Sequence, residues 1–457
     1  MRNNSIMKIT LIGAAGVRTP LLVHGLAGAG ENMRLEELAF WDIDRERLAV
    51  VGRVAEAMAR RSGLSARLRF FSDLDRAVEG ADYVITSIRV GGIDARVKDE
   101  TIALAHGLVG QETVGAGGFA CAMRNLAAML EYARLTERVA PNATVINFTN
   151  PVGIISQGIL NYSGIRILGV CDTPLETFES IAKALDRNPF ELRFDYLGLN
   201  HLGWVRSIRD GDDAELLPKI LSSPALIQKC YRHELFPIQF IQKLALLPTE
   251  YLYFYYFPKT AYENTRRNGK SRGEAVAAMN TKLFEKLARA SEPELIGIYE
   301  NYLRERNASY FSIEATAGEQ RKENQELYSK FSGYERIALL VLQALHSERP
   351  SLIPLTVRNL KALEDLDSND AVELPCQVSS SGVQVPPVGH APEAVRPLLL
   401  QVKEYERLTV RASVERSREA ALAALMKNPL VARPEVAREV LAQYINAFGA
   451  QMKLQAA

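Results

Sequence analysis

The sequence predicts an α/β protein: a doubly wound parallel-sheet domain over residues 1–175, then a mixed α+β domain over residues 176–457. Three observations carry that expectation. Short β-rich runs alternate with helix-period stretches from Lys8 to about Val170, the rhythm changes after Cys171, and a glycine-bounded turn follows the first strand.

The elements can be taken in order. KITLIG opens as a strand, a helix starts at Thr19, and ELAFWD, RLRFF, ADYVITS, TVINFT and RILGV supply the strands that follow. From Arg47 to Arg61 and from Ala120 to Val139, apolar residues recur at three- and four-residue intervals, the period of a helix with one buried face. Strands separated by helices cross over and pair in parallel. Beyond Cys171, RFDYLGLNHLGWVRSIRD reads as strand, and Arg272 to Arg289 and Glu335 to His346 read as long helices. The turn-rich stretch from Asp365 to Pro392 reads as irregular strands ahead of a helical tail.

Composition narrows the function classes. At 457 residues and 47% hydrophobic content the chain can bury two cores. Lys and Arg number 55 against 54 Asp and Glu, so no global field recruits nucleic acid or an anionic membrane, and anion recognition must be local. Cys121, Cys171, Cys230 and Cys376 lack CxxC spacing and suit a reducing compartment. No apolar run reaches the roughly eighteen residues of a membrane span, and the glycine-bounded N-terminal stretch is short for a signal peptide. A cytoplasmic protein acting on a small molecule, with neither nucleic acid nor membrane as partner, is expected.

Gly13-Ala14-Ala15-Gly16 follows the first strand, and Thr19-Pro20 opens the helix. Amides at such a helix start, with its partial positive charge, hold a pyrophosphate. The run falls short of GxGxxG, so a βα turn that binds nothing is the competing reading. Asp42 lies 29 residues beyond Gly13 at the tip of the next strand, where a carboxylate accepts ribose hydroxyls and favours NAD over NADP. Asp44, in DIDRERL, reads instead as the cap of the following helix. Gly13, Gly16, Thr19 and Asp42 are therefore the cofactor candidates of a Rossmann-like domain.

Three later segments carry residues unusual for packing alone. INFTNPVGI puts Asn150 at a strand end, where ligands of such sheets bind, although Asn before Pro is also an ordinary turn former. ILGVCDTP puts Cys171 and Asp172 at the same edge; a thiolate binds Mn²⁺-like cations, yet cysteine is also among the residues most often simply buried. His201, in LGLNHLGW, would alone read as a core histidine. Together they outline a metal site. LLPTEYLYFYYFP gathers Tyr251, Tyr253, Tyr255 and Tyr256 in an aromatic core segment, within which a tyrosine beside a cation can serve as general base. Arg89 and Arg96 in SIRVGGIDARVKDE, and Arg266, Arg267, Lys270 and Arg272 in NTRRNGKSRGE, are the candidates for an anion clamp. Arg96 is favoured because it follows a strand end in a glycine-bearing loop.

RVGGIDARVKDE, VGQETVGAGGF, NFTNPVGI, GVCDTP, GLNHLGW, LPTEYLYFYY, VELPCQV and VKEYERLTVRAS, in this order, resemble the family 4 glycoside hydrolases over nearly the whole chain, most closely their 6-phospho-β-glucosidase branch. The resemblance implies an NAD-binding domain akin to lactate and malate dehydrogenases, an Mn²⁺ or similar ion on Cys171 and His201, and homodimers or homotetramers. It also implies Tyr251 as general base, Arg96 on the C6 phosphate, and Asn150 and Asp172 near the substrate hydroxyls. The implied chemistry is transient oxidation at sugar C3, removal of the C2 proton, elimination of the C1 substituent, addition of water and return of the hydride. Two departures stand out. Ala14-Ala15 and Val17-Arg18 replace the glycine and serine of relatives, and Asp172-Thr173-Pro174 resembles the 6-phospho-α-glucosidase branch, where that carboxylate is the assigned general acid. Acceptance of another C6 anion, such as sulfonate or uronate, is a further alternative, as are an NAD-dependent sugar or hydroxyacid dehydrogenase and a sensor without catalysis.

Overall fold

The computed structural model describes residues 7–28, 33–231, 233–315, 327–328 and 331–455. Strands β1 (Met7–Ile12), β2 (Leu35–Trp41), β3 (Arg67–Phe70), β4 (Tyr83–Thr86), β5 (Thr144–Asn147) and β6 (Arg166–Gly169) pair in parallel in the order β3-β2-β1-β4-β5-β6. The order reverses between β1 and β4, which makes their C-terminal ends the switch point where such sheets bind ligands. Helices cover both faces, so a central strand such as β4 is buried along its full length and reads as a continuous apolar run.

The crossover helices are α1 (Thr19–Ala27), α2 (Arg45–Ser62), α3 (Leu74–Val78), α4 (Gly92–Ala105), α5 (Gly115–Val139), α6 (Val152–Tyr162) and α7 (Thr173–Ala184). Asp44 caps α2 as expected, its side chain accepting from the Arg47 N–H at 2.9 Å. Helix α5 begins at Gly115 rather than near Ala120. Its first turn contains Gly117 and Gly118, which weaken the helical signal in sequence but let the turn press against the preceding segment. A Cβ at Gly117 would lie 2.2 Å from the Gln111 carbonyl oxygen, and one at Gly118 2.5 Å from the Thr113 carbonyl carbon.

The sheet continues into the second half of the chain. Strands β7 (Arg193–Leu199), β8 (Leu202–Arg209), β9 (Leu247–Pro248), β10 (Ser351–Arg358), β11 (Ala371–Ser379) and β12 (Gly382–Gln384) complete a 12-stranded sheet. β10 docks antiparallel on β6, and β11, β7, β8 and β9 follow, with β12 on β11. RFDYLGLNHLGWVRSIRD is thus a hairpin, turning at Asn200 and His201, with His201 at φ 62°. The helix Arg272–Arg289 falls where sequence periodicity puts it, Tyr334–Leu345 within a residue of it, and three helices from Arg396 to Phe448 form the tail. That tail packs against a buried ion pair of the first half. Arg124 on α5 donates twice to Asp99 on α4, at 2.8 and 2.6 Å, while its guanidinium lies 3.9 Å from the Phe448 ring centroid. Among the described residues no helix is long and apolar enough to cross a membrane.

Candidate active site

The C-terminal ends of β1, β4, β5 and β6 open on one cavity of about 1670 Å³. Gly13 makes the first turn possible: at φ +92° a Cβ there would meet the Ser87 carbonyl oxygen at 2.3 Å, so only glycine lets the β1 loop lie against the end of β4. Asp42 ties this loop to the next, accepting from the Ala15 N–H at 2.8 Å and the Asp44 N–H at 2.9 Å. Each carboxylate oxygen keeps a lone pair for a further donor. Ile43 beside it is 84% exposed, an apolar surface at the wall of the cavity.

Asn150, at the end of β5, takes a bond from Asn125 Nδ2 on its backbone oxygen at 2.8 Å. Its side-chain Oδ1 is buried against the cavity and has no hydrogen-bond partner among the described residues. Cys171 and Asp172 end β6 and lead into α7. Burial, reinforced by Glu373, pushes the Cys171 thiol well up, so it is a thiol unless a cation displaces its proton. His201 reaches the cavity from the β7–β8 turn, with Nδ1 2.9 Å from Thr113 Oγ1. Burial lowers its pKa to about 3 against the pull of Glu112, leaving a neutral imidazole, the form that binds metals. Tyr251 stacks on that ring at 3.7 Å with 5° between planes, and burial pushes its phenol up despite a bond with Tyr310.

The cationic end differs from the sequence expectation. Arg96 stands on helix α4, not in a loop, and is buried with Nε 2.8 Å from Glu100 and Nη1 2.8 Å from Glu112; Arg89 pairs with the second oxygen of Glu112. Arg272 donates to the carbonyls of Ser309 at 2.5 Å and Arg306 at 3.1 Å. Burial, together with repulsion from Arg96 and Arg306, holds Arg272 below its ordinary pKa against the pull of Glu314. Arg306 is held down in the same way, by burial and by Arg18 and Arg96, against the pull of Tyr302. Like charges gathered in a buried wall mark a place for an anion. Arg266, Arg267 and Lys270 are exposed and away from the cavity.

Gly13, Gly16, Thr19, Asp42, Arg96, Asn150, Cys171, Asp172, His201, Tyr251 and Arg272 all line this one space, whereas Arg266, Arg267 and Lys270 do not. Sequence reasoning missed Arg306, which sits in an ordinary amphipathic helix, and gave no individual role to Gln111, Glu112 and Thr113 within the quoted VGQETVGAGGF. Among the described residues no three His, Cys, Asp or Glu side chains form a cage for a cation. Cys171 and His201 offer a soft sulfur and a neutral imidazole. That pair fits a catalytic ion whose other positions belong to substrate oxygens, not a closed structural site.

A glycine turn at the switch point of a doubly wound sheet, sharing its cavity with a thiol–imidazole pair and clustered guanidiniums, defines a dehydrogenase-like scaffold with room for an anionic second ligand. Two models match nearly end to end, "Family 4 glycosyl hydrolase" over residues 8–187 and "Family 4 glycosyl hydrolase C-terminal domain" over residues 196–431, and the chain belongs to this family. It is 30% identical to the 6-phospho-beta-glucosidase BglT of Thermotoga maritima, covering 98% of this chain and 100% of that one. It is 28% identical to the phospho-alpha-glucosidase PagL of Clostridium acetobutylicum, covering 96% and 97%. Among solved structures, the T. maritima 6-phospho-beta glucosidase with NAD and glucose-6-phosphate superposes with a TM-score of 0.83 at 28% identity, over 99% of this chain and 100% of that one. The same enzyme with manganese, NAD⁺ and glucose-6-phosphate gives 0.81 at 27%, over 98% and 100%. A 6-phospho-alpha-glucosidase from gut microorganisms with NAD and glucose-6-phosphate gives 0.79 at 26%, over 98% and 99%. A lactate dehydrogenase from a deep-sea metagenome, at 0.51 and 14% over 90% and 99%, shares the fold alone.

Proposed function

We propose that this chain hydrolyses 6-phosphoglucosides, the β-anomers foremost, with NAD and a divalent cation, Mn²⁺, as cofactors. The observation that carries the reading is the shared cavity. One space of about 1670 Å³ is walled by the Gly13 loop, by Cys171 and His201, and by Arg96, Arg272 and Arg306. It exceeds the roughly 300–1,000 Å³ of a single small-ligand pocket, as a dinucleotide beside a sugar phosphate requires. The T. maritima relative, solved with both ligands and again with manganese, supports the same assignment.

Gly13, Gly16 and Thr19 hold the dinucleotide's diphosphate at the start of α1, Asp42 accepts from its ribose, and Ile43 offers an apolar face to its base. Cys171 and His201 hold the cation. When bound, the nicotinamide supplies transient oxidation at the sugar's C3, and the cation supplies Lewis-acid polarisation of the adjoining oxygens, a route distinct from two-carboxylate glycoside hydrolysis. Arg96, Arg272 and Arg306 bind the C6 phosphate, whose charge offsets the burial and repulsion that hold Arg272 and Arg306 down. Asn150 Oδ1, without a donor among the described residues, accepts from a sugar hydroxyl. Tyr251, its ring fixed by the stack on His201, would accept the C2 proton as a phenolate, its own proton having been lost to solvent once a cation is bound beside it. A second reading, the α-anomer, is favoured by Asp172 directly after Cys171; this side chain lines the cavity and, in its carboxylic acid form, would protonate the leaving oxygen. The four buried, unpaired cysteines fit a reducing cytoplasm, where we place the enzyme as a homodimer or homotetramer.

The test is a panel of 4-nitrophenyl glucosides, α and β, with and without C6 phosphate, assayed with NAD⁺, Mn²⁺ and a thiol reductant. Only phosphorylated substrates should turn over, without accumulation of NADH, and in D₂O the released sugar should carry deuterium at C2. Stoichiometric NADH would identify a dehydrogenase instead, and failure to cleave every member would identify a protein without catalysis.

A further inference from the structure

Between α4 and α5 the chain passes through Gln111, Glu112 and Thr113, with Gln111 and Thr113 both buried. Gln111 Oε1 accepts the backbone N–H of Thr113 at 2.5 Å and of Val114 at 3.0 Å. Two N–H donors fix that atom as oxygen, because a flipped amide would set N–H against N–H. Thr113 Oγ1 lies 2.9 Å from this oxygen and 2.9 Å from His201 Nδ1. Two oxygens so close repel unless a proton lies between them, and on that line only the threonine hydroxyl has one to give. Spent there, it leaves none for His201. The contact to Nδ1 then closes only when Nδ1 carries its own proton and donates it to Thr113.

We infer that Gln111 and Thr113 form a latch that holds His201 as the Nδ1-protonated tautomer and so leaves the Nε2 lone pair for the cation. Both are positioning residues, and the inference rests on the reading of His201 as a metal ligand. The stack on Tyr251, 3.7 Å away and 5° from coplanar, fixes the plane of the ring; the latch fixes which nitrogen is basic within it. The latch has little freedom to relax. Gly117 and Gly118 bring the first turn of α5 so near Gln111 and Thr113 that a methyl group at either would overlap their backbone. From the same tripeptide, Glu112 reaches Arg89 and Arg96, so one short segment sets both the histidine and part of the cation cluster.

The test uses full-length, metal-free protein with ¹⁵N-labelled histidine. Six histidines are present, and His201→Ala identifies the His201 signals by their loss. Long-range ¹H–¹⁵N spectra should report the Nδ1–H tautomer in the wild type and in Thr113→Ser, which keeps the hydroxyl. In Thr113→Val, folded by circular dichroism, that tautomer should lose its dominance, and Mn²⁺ affinity, read from the paramagnetic resonance of free Mn²⁺, should fall about 10- to 100-fold. Thr113→Ser should restore both readouts, which loss of fold would not allow. An Nε2-protonated wild type, or Thr113→Val with unchanged tautomer and affinity, overturns the latch. Wild-type Mn²⁺ affinity in His201→Ala overturns instead the ligand role of His201, while the spectra still decide the tautomer.

Discussion

Gly13→Ala tests the cofactor loop most directly. The added Cβ would stand 2.3 Å from the Ser87 carbonyl oxygen and 2.7 Å from its carbon, both backbone atoms at the end of β4 that cannot rotate aside. Carbon–oxygen contacts are found from about 3.3 Å, so the loop must retreat by roughly 1 Å from the strand beside it. Holding alanine at φ +92° adds strain of about 1–3 kcal/mol. If the loop escapes by moving, the amides proposed to hold the diphosphate move with it, and at about 1.4 kcal/mol per tenfold the expected loss of NAD affinity is roughly 5- to 150-fold. Trp41 lines the cavity whereas Trp204 is fully buried elsewhere in the sheet, so quenching of tryptophan emission by NAD reads the affinity. Gly63→Ala is the control. At φ +69° with nothing within 4 Å of the new Cβ, it carries the backbone strain without the clash, and should lower stability while leaving NAD binding alone. Wild-type NAD affinity in folded Gly13→Ala would refute the reasoning, as would an equal loss in Gly63→Ala.

Three further outcomes are expected. Arg306→Met should raise KM for a 6-phosphoglucoside about 10- to 100-fold, the worth of one charge-assisted bond, with NAD affinity unchanged; equal losses for both ligands would dissociate Arg306 from the phosphate. Burial raises the Glu373 carboxyl to about 7 against the bonds from Tyr196, Asn200 and Thr356. A raised folded pKa means that stability is full below the unfolded value of about 4.3 and is lost as pH rises through 7, so Glu373→Gln should gain on the wild type from pH 5 to pH 8, by up to about 3 kcal/mol. Thermal melts across that range check it, and parallel curves would contradict it. Arg124→Met leaves Asp99 buried without its partner and should cost about 3–5 kcal/mol in urea unfolding; a change under about 1 kcal/mol would contradict that cost.

The sequence by itself determined the alternation of strands and helices in the first half of the chain and, within about two residues, where its strands end. Period and turn chemistry are short-range properties, and parallel crossover topology then carries Gly13, Asn150 and Cys171 to one edge of the sheet. It also determined that Asp44, not Asp42, caps α2. Only tertiary structure decided the rest. The docking of β10 on β6 joins segments far apart in sequence, and no local pattern specifies an edge pairing. Thr113 meets His201 across 88 residues, and Arg306 meets Arg96 and Arg272 although it sits on an unremarkable helix. Arg96 kept its place in the cavity wall but not its loop, because burial between Glu100 and Glu112 required it on α4. Hydrogen-bond direction and the repulsion between like charges depend on distance in space, and distance in space exists only once the chain has folded.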